Sequence, residues 1–233
     1  MNRSDYNICE SCDVYVDRSC RDCPECGQPV VVDATKAISL WRLGDIREGV
    51  IGPLSAALRE KFGVPVVVQP SFLDERPSRR EHWNGISANV FLAQALRRHQ
   101  RGVFVSFGIT ESNIVPGARW NYLFGFGYMG APAAIMSLCP LDRDEPELDR
   151  RVRRAASIAV HEIGHTLGLD DHDYEMGGDC VMVGDVAFDS IETIDQGGID
   201  FCAGCQRQMN RLPRWKRCRA VVHDAGATVR SVL

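Results

Sequence analysis

His161 and His165 stand four residues apart, with Glu162 between them, in the run His161-Glu162-Ile163-Gly164-His165-Thr166-Leu167-Gly168. On a helix, residues four apart project from one face a turn apart, so both imidazoles can reach a single metal ion. The carboxylate of Glu162 then falls beside that metal, where it can act as general base toward a bound water. The spacing H-E-x-x-H is that of zinc-assisted peptide-bond hydrolysis. Three fixed positions in five also suit a structural histidine pair. Here, however, the preceding run reads as helix, Gly168 follows three residues after the second histidine, and further ligand-type side chains come next.

The helix that must carry this run has a good start at Asp144-Glu145-Pro146, acidic first-turn residues with an early proline, and is expected from about Glu147 through Leu167. Val152, Ala156, Ala159, Ile163 and Leu167 fall at helical spacing and should face the core, whereas Arg150, Arg151, Arg153 and Arg154 read as a solvated face. Gly168 permits the left-handed turn that ends the helix and sends the chain back toward the metal.

Upstream, strand and helix patterns alternate. Ala37 to Leu43 reads as a strand, Ile51 to Phe62 as an amphipathic helix ended by Gly63, and Val64 to Gln69 as a buried strand. Leu73 to Arg80 is a polar loop, Ile86 to Gln100 a second helix, and Gly102 to Ile109 a further buried strand. The alternation predicts an α/β sandwich with helices packed on a mostly parallel sheet. The stretch from Trp120 to Tyr128 interleaves glycine with aromatics. Glycine in a strand marks a close backbone approach, so this is either an edge strand beside the metal that pairs with an extended peptide, or a bent strand whose aromatics cover the core. Ala131 to Leu141 returns as a strand, with Cys139 expected as a buried, small apolar residue.

The whole chain bounds the reading. Its 233 residues suit one medium domain with a small appendage, and its hydrophobic (45%) and charged (25%) fractions are those of a soluble globular protein. A formal charge of −4 gives no general pull toward nucleic acid or anionic membrane. Met1 to Glu10 lacks the apolar run of an export signal, and no stretch approaches the ~20 apolar residues of a membrane span. The ten cysteines, several in C-x-x-C pairs, therefore read as thiolate metal ligands in a reducing cytoplasm, with no membrane partner.

Cys9-x-x-Cys12 and Cys23-x-x-Cys26 can wrap one tetrahedral zinc in a segment too short to fold on hydrophobic burial alone. Cys20 also stands in C-x-x-C relation to Cys23, but the proline and glycine around Cys23–Cys26 suit a tight knuckle and make Cys20 the odd one out. Asp5, Glu10, Asp13, Asp17, Asp22 and Glu25 outweigh Arg3, Arg18 and Arg21 in this segment. Phosphate binding is thus disfavoured, and a docking or stabilising role fits better than nucleic-acid contact. Arg207, Arg211, Arg214, Lys216, Arg217 and Arg219 precede a tail that reads as solvated, with docking to an acidic partner as the alternative.

At His161-Glu162, His165, Gly168, Cys180-Val181-Met182 and Cys202-Ala203-Gly204-Cys205 the chain resembles the archaemetzincin-type metalloproteases of the metzincin clan. Their pattern is HExxHxxGxxHC, then a short spacer, CxM, a longer spacer and CxxC, with a second zinc in the cysteine cluster. The stretch GITESNIVPGARWNYLFGFGYMGAPAAIMSL is also similar to the family's segment before the active-site helix, and the likeness runs roughly from residue 38 to 208. It implies a metzincin-like twisted mixed sheet packed with helices, the active-site helix carrying HExxH. The chain then divides into a zinc-ribbon-like four-cysteine module (1–32), a catalytic domain with a second structural zinc (33–210) and a basic C-terminal tail (211–233).

Two positions depart from the family pattern. Asp171 stands where its third histidine would be, and His172 where its cysteine would be. Read without a gap, Asp171 completes the catalytic zinc with His161 and His165, while His172 joins Cys180, Cys202 and Cys205 at the structural zinc. Read with one residue inserted, His172 is the catalytic ligand, and Asp173 or water completes the second site. Met182 would form the apolar floor beneath the catalytic zinc. The longer spacings, Asp173 to Asp179 and the nineteen residues between Met182 and Cys202, can be absorbed in loops.

The resemblance implies a peptidase acting on peptides or proteins, with Glu162 taking the proton of a zinc-bound water. An anionic third ligand should soften the zinc's Lewis acidity and make turnover modest. The competing reading is a zinc-stabilised binding protein that keeps the protease fold and is weak or silent as a catalyst; the intact Glu162 favours the enzyme, because recognition needs no general base. If all three ligand groups load, metal analysis of the purified protein returns about three zinc ions per chain; about two would leave one cysteine group metal-free.

Overall fold

The computed structural model of the chain describes residues 6–9, 14–17, 22–27, 37–47, 49–69, 85–98, 103–115, 123–142, 147–172, 180–183, 191–196 and 198–211. At the start, β1 (Tyr6–Cys9) and β2 (Val14–Asp17) pair antiparallel, with Cys9 opposite Val14. Cys23 to Gly27 closes a tight turn in which the Gly27 amide donates to the Cys23 carbonyl.

The centre is a five-stranded sheet in the order β4 (Val66–Gln69), β3 (Ala37–Leu43), β6 (Val103–Thr110), β9 (Ala133–Ser137), β8 (Gly125–Gly127). The first four run parallel; β8 lies antiparallel to β9 at the margin, with Phe126 opposite Ile135. All eight residues of β6 are buried, as a parallel strand covered on both faces requires. A separate parallel ribbon joins β5 (Gly85–Ser87) to β7 (Asn113–Val115).

Residue alternation along the strands sorts the core into two layers. Ile38, Leu40, Val105, Phe107, Ile109, Ala134 and Met136 face α1 (Ile51–Phe62) and α3 (Leu148–Thr166). Leu43, Ala133 and Ile135 face α2 (Ala88–Arg98), whose Phe91 lies on β6 where Gly108 offers no side chain to block it. Gly63 ends α1 in the left-handed conformation, and its amide reaches back to the Arg59 carbonyl. After the sheet come a 3-10 turn (Cys139–Asp142), α4 (Ile191–Gln196) and α5 (Ala203–Arg211). Among the described residues no helix is long and apolar enough to cross a membrane.

The anticipated elements are present with several changes of boundary. Ile86 belongs to β5 rather than to the second helix, because its backbone pairs with Ile114. The last anticipated strand stops at Ser137, and Cys139 is exposed on the 3-10 turn rather than buried. Val152 is only half-buried on α3. The loop from Leu73 to Arg80, the helix start at Asp144-Glu145-Pro146, Asp173 to Asp179 and the tail beyond Arg211 lie outside the described residues.

The larger correction concerns the arginines of α3. Arg150 and Arg153 are exposed, but Arg151 and Arg154 are each only 1% exposed. Positions 151, 154, 155, 158 and 159 make one stripe at three- and four-residue spacing, and that stripe faces inward. Arg151 lays its guanidinium on both Asp142 oxygens and on Glu111. Arg154 forks onto both oxygens of Asp195 and donates to the Leu141 carbonyl. A buried guanidinium needs such carboxylates, and here they sit on the β6–β7 turn, the 3-10 turn and α4. Helix α3 is thereby bolted to three other elements at its N-terminal half. Asp142→Ala, which removes the bidentate partner of a buried charge, should lower stability by about 2–3 kcal/mol, read from the urea unfolding midpoint; a change within a few tenths would refute the anchoring role.

Candidate metal centres

The C-terminal half of α3 presents His161 and His165 side by side, with their Nε2 atoms 3.0 Å apart. The rings meet edge to face. His161 Nδ1 lies 2.8 Å from the Val181 carbonyl oxygen, and His165 Nδ1 lies 2.9 Å from that of Leu169. A carbonyl can only accept, so each Nδ1 carries the proton and donates it. In a ring that is neutral the Nε2 atom is then the lone pair, and the two Nε2 atoms face each other. Asp171 Oδ1 completes a triangle, 3.4 Å from each of them. Three electron-rich atoms at this spacing repel unless a cation sits between them. Nitrogen and oxygen ligands at ~2.0–2.1 Å in a tetrahedron are ~3.3 Å apart, so the triangle has the right size for a zinc-sized ion.

Local sequence explains how Asp171 gets there. Leu167 and Gly168 close the helix, with the Gly168 amide donating to His165 O and the Leu169 amide to Gly164 O. Gly168 takes φ +85°, a conformation glycine adopts without strain. The chain turns back at once, which puts the Leu169 carbonyl against His165 and Asp171 against both imidazoles. Burial, then the neighbouring His165, lowers the His161 pKa to about 4 against the opposing Val181 bond, so the ring is held neutral, the form that binds metal.

Glu162 is buried between α3 and β8, 7% exposed. Burial drives its carboxyl well above the usual range, the charge of Asp171 adds to this, and a hydrogen bond from the Gly127 backbone opposes it. A β-carbon at Gly125 would collide with the Glu162 carboxyl group, and one at Gly127 would strike its backbone oxygen. The glycines seen in sequence thus make room for Glu162 itself. Phe126 and Tyr128 point to the opposite face, onto the α2 core, and Tyr128 Oη donates to Asn89 Oδ1. Met182 is fully buried, and a β-carbon at Gly164 would meet its sulfur, so it lies directly under the helix.

A second cluster gathers His172, Cys180, Cys202 and Cys205. His172 Nε2 is 2.8 Å from Cys205 Sγ and 3.5 Å from Cys202 Sγ, and the Cys180 and Cys205 sulfurs are 3.8 Å apart. Sulfurs at ~2.3 Å from a tetrahedral zinc would be ~3.8 Å apart. Amides aim at the sulfurs: Met182 and Cys202 toward Cys180, Cys205 toward Cys202. Burial would raise the Cys202 thiol, but the Cys205 and Gly204 amides and the neighbouring thiols bring it down to about 7, while burial and Cys180 push Cys205 up. The structure groups Asp171 with His161 and His165, and His172 with the cysteines. Asp173 lies outside the described residues, as do Cys12 and the side chain of Cys9; Cys23 is buried and Cys26 exposed in the N-terminal turn.

Comparison with known proteins places this geometry. No protein-family model matches the chain. It is 33% identical over 101 residues to archaemetzincin of Archaeoglobus fulgidus, a stretch covering 43% of this chain and 57% of that protein. With archaemetzincin of Haloarcula marismortui the identity is 32% over 53% of that protein, so the match spans little more than half the length of these relatives. The crystal structure of the Archaeoglobus protein complexed with malonate superposes with a TM-score of 0.58 at 25% identity, covering 74% of this chain and 99% of that one. The chain is archaemetzincin-like. The fold of Methanopyrus kandleri archaemetzincin also matches, with a TM-score of 0.63 at 21% identity over 78% of this chain and 97% of that one. In this archaemetzincin-like chain, sequence reading could not see the carbonyls of Val181 and Leu169, because backbone groups leave no residue signature; it did see Gly125 and Gly127, without the side chain they accommodate.

The contact is testable by a double-mutant cycle. Gly125→Ala should cost about 1–3 kcal/mol by overpacking, and most of that should vanish in the Glu162→Ala background, where the carboxyl group is gone. Additive costs in urea unfolding would disprove the direct contact.

Proposed function

We propose that the chain is a zinc-dependent metallopeptidase whose active site is built from His161, His165, Asp171 and Glu162. The observation that carries this reading is the triangle of two imidazole Nε2 atoms and a carboxylate oxygen, with a buried carboxyl group beside it on the same helix. His161, His165 and Asp171 would hold the zinc, and Cys180, Cys202, Cys205 and His172 a second, structural one. Bound zinc supplies Lewis acidity toward a carbonyl and acidifies water. Glu162 accepts the proton of the attacking water at its carboxylate and returns it to the departing amine. A cation nearby favours the ionised form that this role needs, against the effect of burial. Met182 closes the floor of the site with an apolar side chain, and the outer margin of β8 offers backbone groups to an extended peptide.

The four N-terminal cysteines, Cys9, Cys12, Cys23 and Cys26, would form a separate zinc module with a docking or stabilising role. Support for peptidase chemistry over a binding role comes from Glu162: a recognition site gains nothing from a buried carboxyl group set against two metal-binding histidines. Glu162→Gln keeps the side chain's size and should retain zinc while lowering hydrolysis of a diverse peptide library by ~10²–10⁴-fold. The unmodified protein should lose cleavage on chelation and regain it on zinc addition. Undiminished turnover by the Gln variant would remove Glu162 from the mechanism.

A further inference from the structure

We propose that the cysteine cluster acts as a positioning element for the histidine site, so that metal binding at Cys180, Cys202, Cys205 and His172 strengthens metal binding at His161, His165 and Asp171. The inference rests on the reading of both groups as metal sites, and it concerns their thermodynamic coupling rather than catalysis.

Helix α3 by itself fixes only the two histidines. The Leu169 carbonyl behind His165 comes from the turn at Gly168, but Asp171, Met182 and the Val181 carbonyl hang on residues next to the cluster. Asp171 directly precedes His172, whose amide donates to the Met182 carbonyl at 2.7 Å and whose backbone bridges to Val183. Val181, which orients His161 through its carbonyl, directly follows Cys180. Its amide in turn donates to the Asp200 carbonyl, two residues before Cys202, and the Cys202 amide points back at the Cys180 sulfur at 3.2 Å. Met182, under Gly164, has its own amide aimed at Cys180 Sγ. On the other side, Gln208, one turn after Cys205 on α5, donates to the Gly168 carbonyl at the turn that leads into Asp171.

Residues 169–172, 180–183 and 198–202 form no helix or strand ladder beyond the isolated bridge of His172 to Val183. Short irregular segments of this kind are ordered by whatever crosslinks them. The cluster side chains supply that crosslink: one metal there would join all three segments. Loss of it frees the Asp171 carboxylate, which is 54% exposed, and releases the carbonyl that selects the His161 tautomer. Loss of a partner that orients a metal ligand weakens binding by about 10–100-fold. Linkage then requires the same factor in the opposite direction.

The test titrates zinc against a competing chelator into metal-free full-length protein and follows imidazole NMR resonances. Those of His161 and His165 report one site and that of His172 the other, so the N-terminal cysteines do not interfere. In Cys202→Ser,Cys205→Ser the zinc midpoint for His161 and His165 should rise about 10–100-fold. If that variant fails to fold, Cys202→Ser alone decides, read at zinc levels where its His172 resonance is still that of the metal-free cluster; a His161 and His165 midpoint there equal to that of the unmodified protein overturns the proposal. Coupled midpoints in a protein that cleaves no peptide would refute the peptidase reading and leave the coupling standing.

Discussion

Two neutral imidazoles whose Nε2 lone pairs meet 3.0 Å apart would repel, and the fold must contain that repulsion. The protein contains it by tying down the far side of each ring. The Nδ1 protons are committed to the carbonyls of Val181 and Leu169, so neither ring can relieve the clash by changing tautomer or swinging away. Those carbonyls come from the turn after Gly168 and from the segment after Cys180, and so the geometry of the centre depends on both. Much of the surrounding architecture serves to fix these few atoms: the buried arginines clamp the first half of α3, and Met182 and the Gly164 contact set the depth of the second half.

The opposite side of α3 shows a related economy of space. Strand β8 puts glycine on the face toward Glu162 and aromatic rings on the face toward α2. One short strand therefore brings a backbone within reach of a buried carboxyl group while sealing the second core layer. The Gly127 amide gives that carboxyl group a hydrogen bond where water is excluded, which limits the cost of burying it.

The readable part of the sequence was the part governed by local rules. Strand β3 and helix α1 match their anticipated limits because apolar periodicity and a left-handed glycine stop are local signals, and α3 is recognisable from its stripe of Ala156, Ala159 and Ile163. The grouping of Asp171 with the two histidines also follows from spacing, since the chain turns back at Gly168. Arg151 and Arg154 were misjudged because their charge argues for solvent, and the carboxylates that reverse the argument lie 9 to 41 positions away. Cys139 was misjudged for the opposite reason: its apolar character suggested a strand interior, but the strand had already ended at Ser137. For the arginines the deciding fact was a neighbour in space rather than along the chain.

The margins of the central sheet carry one further consequence. Strand β8 is three residues long and β4 four, and among the described residues these are its two borders. Longer bare borders recruit other polypeptides indiscriminately and seed association of like with like. A border this brief gives a stray strand too few rungs to hold, and the Gly127 amide on it is already committed to the Glu162 carboxyl group.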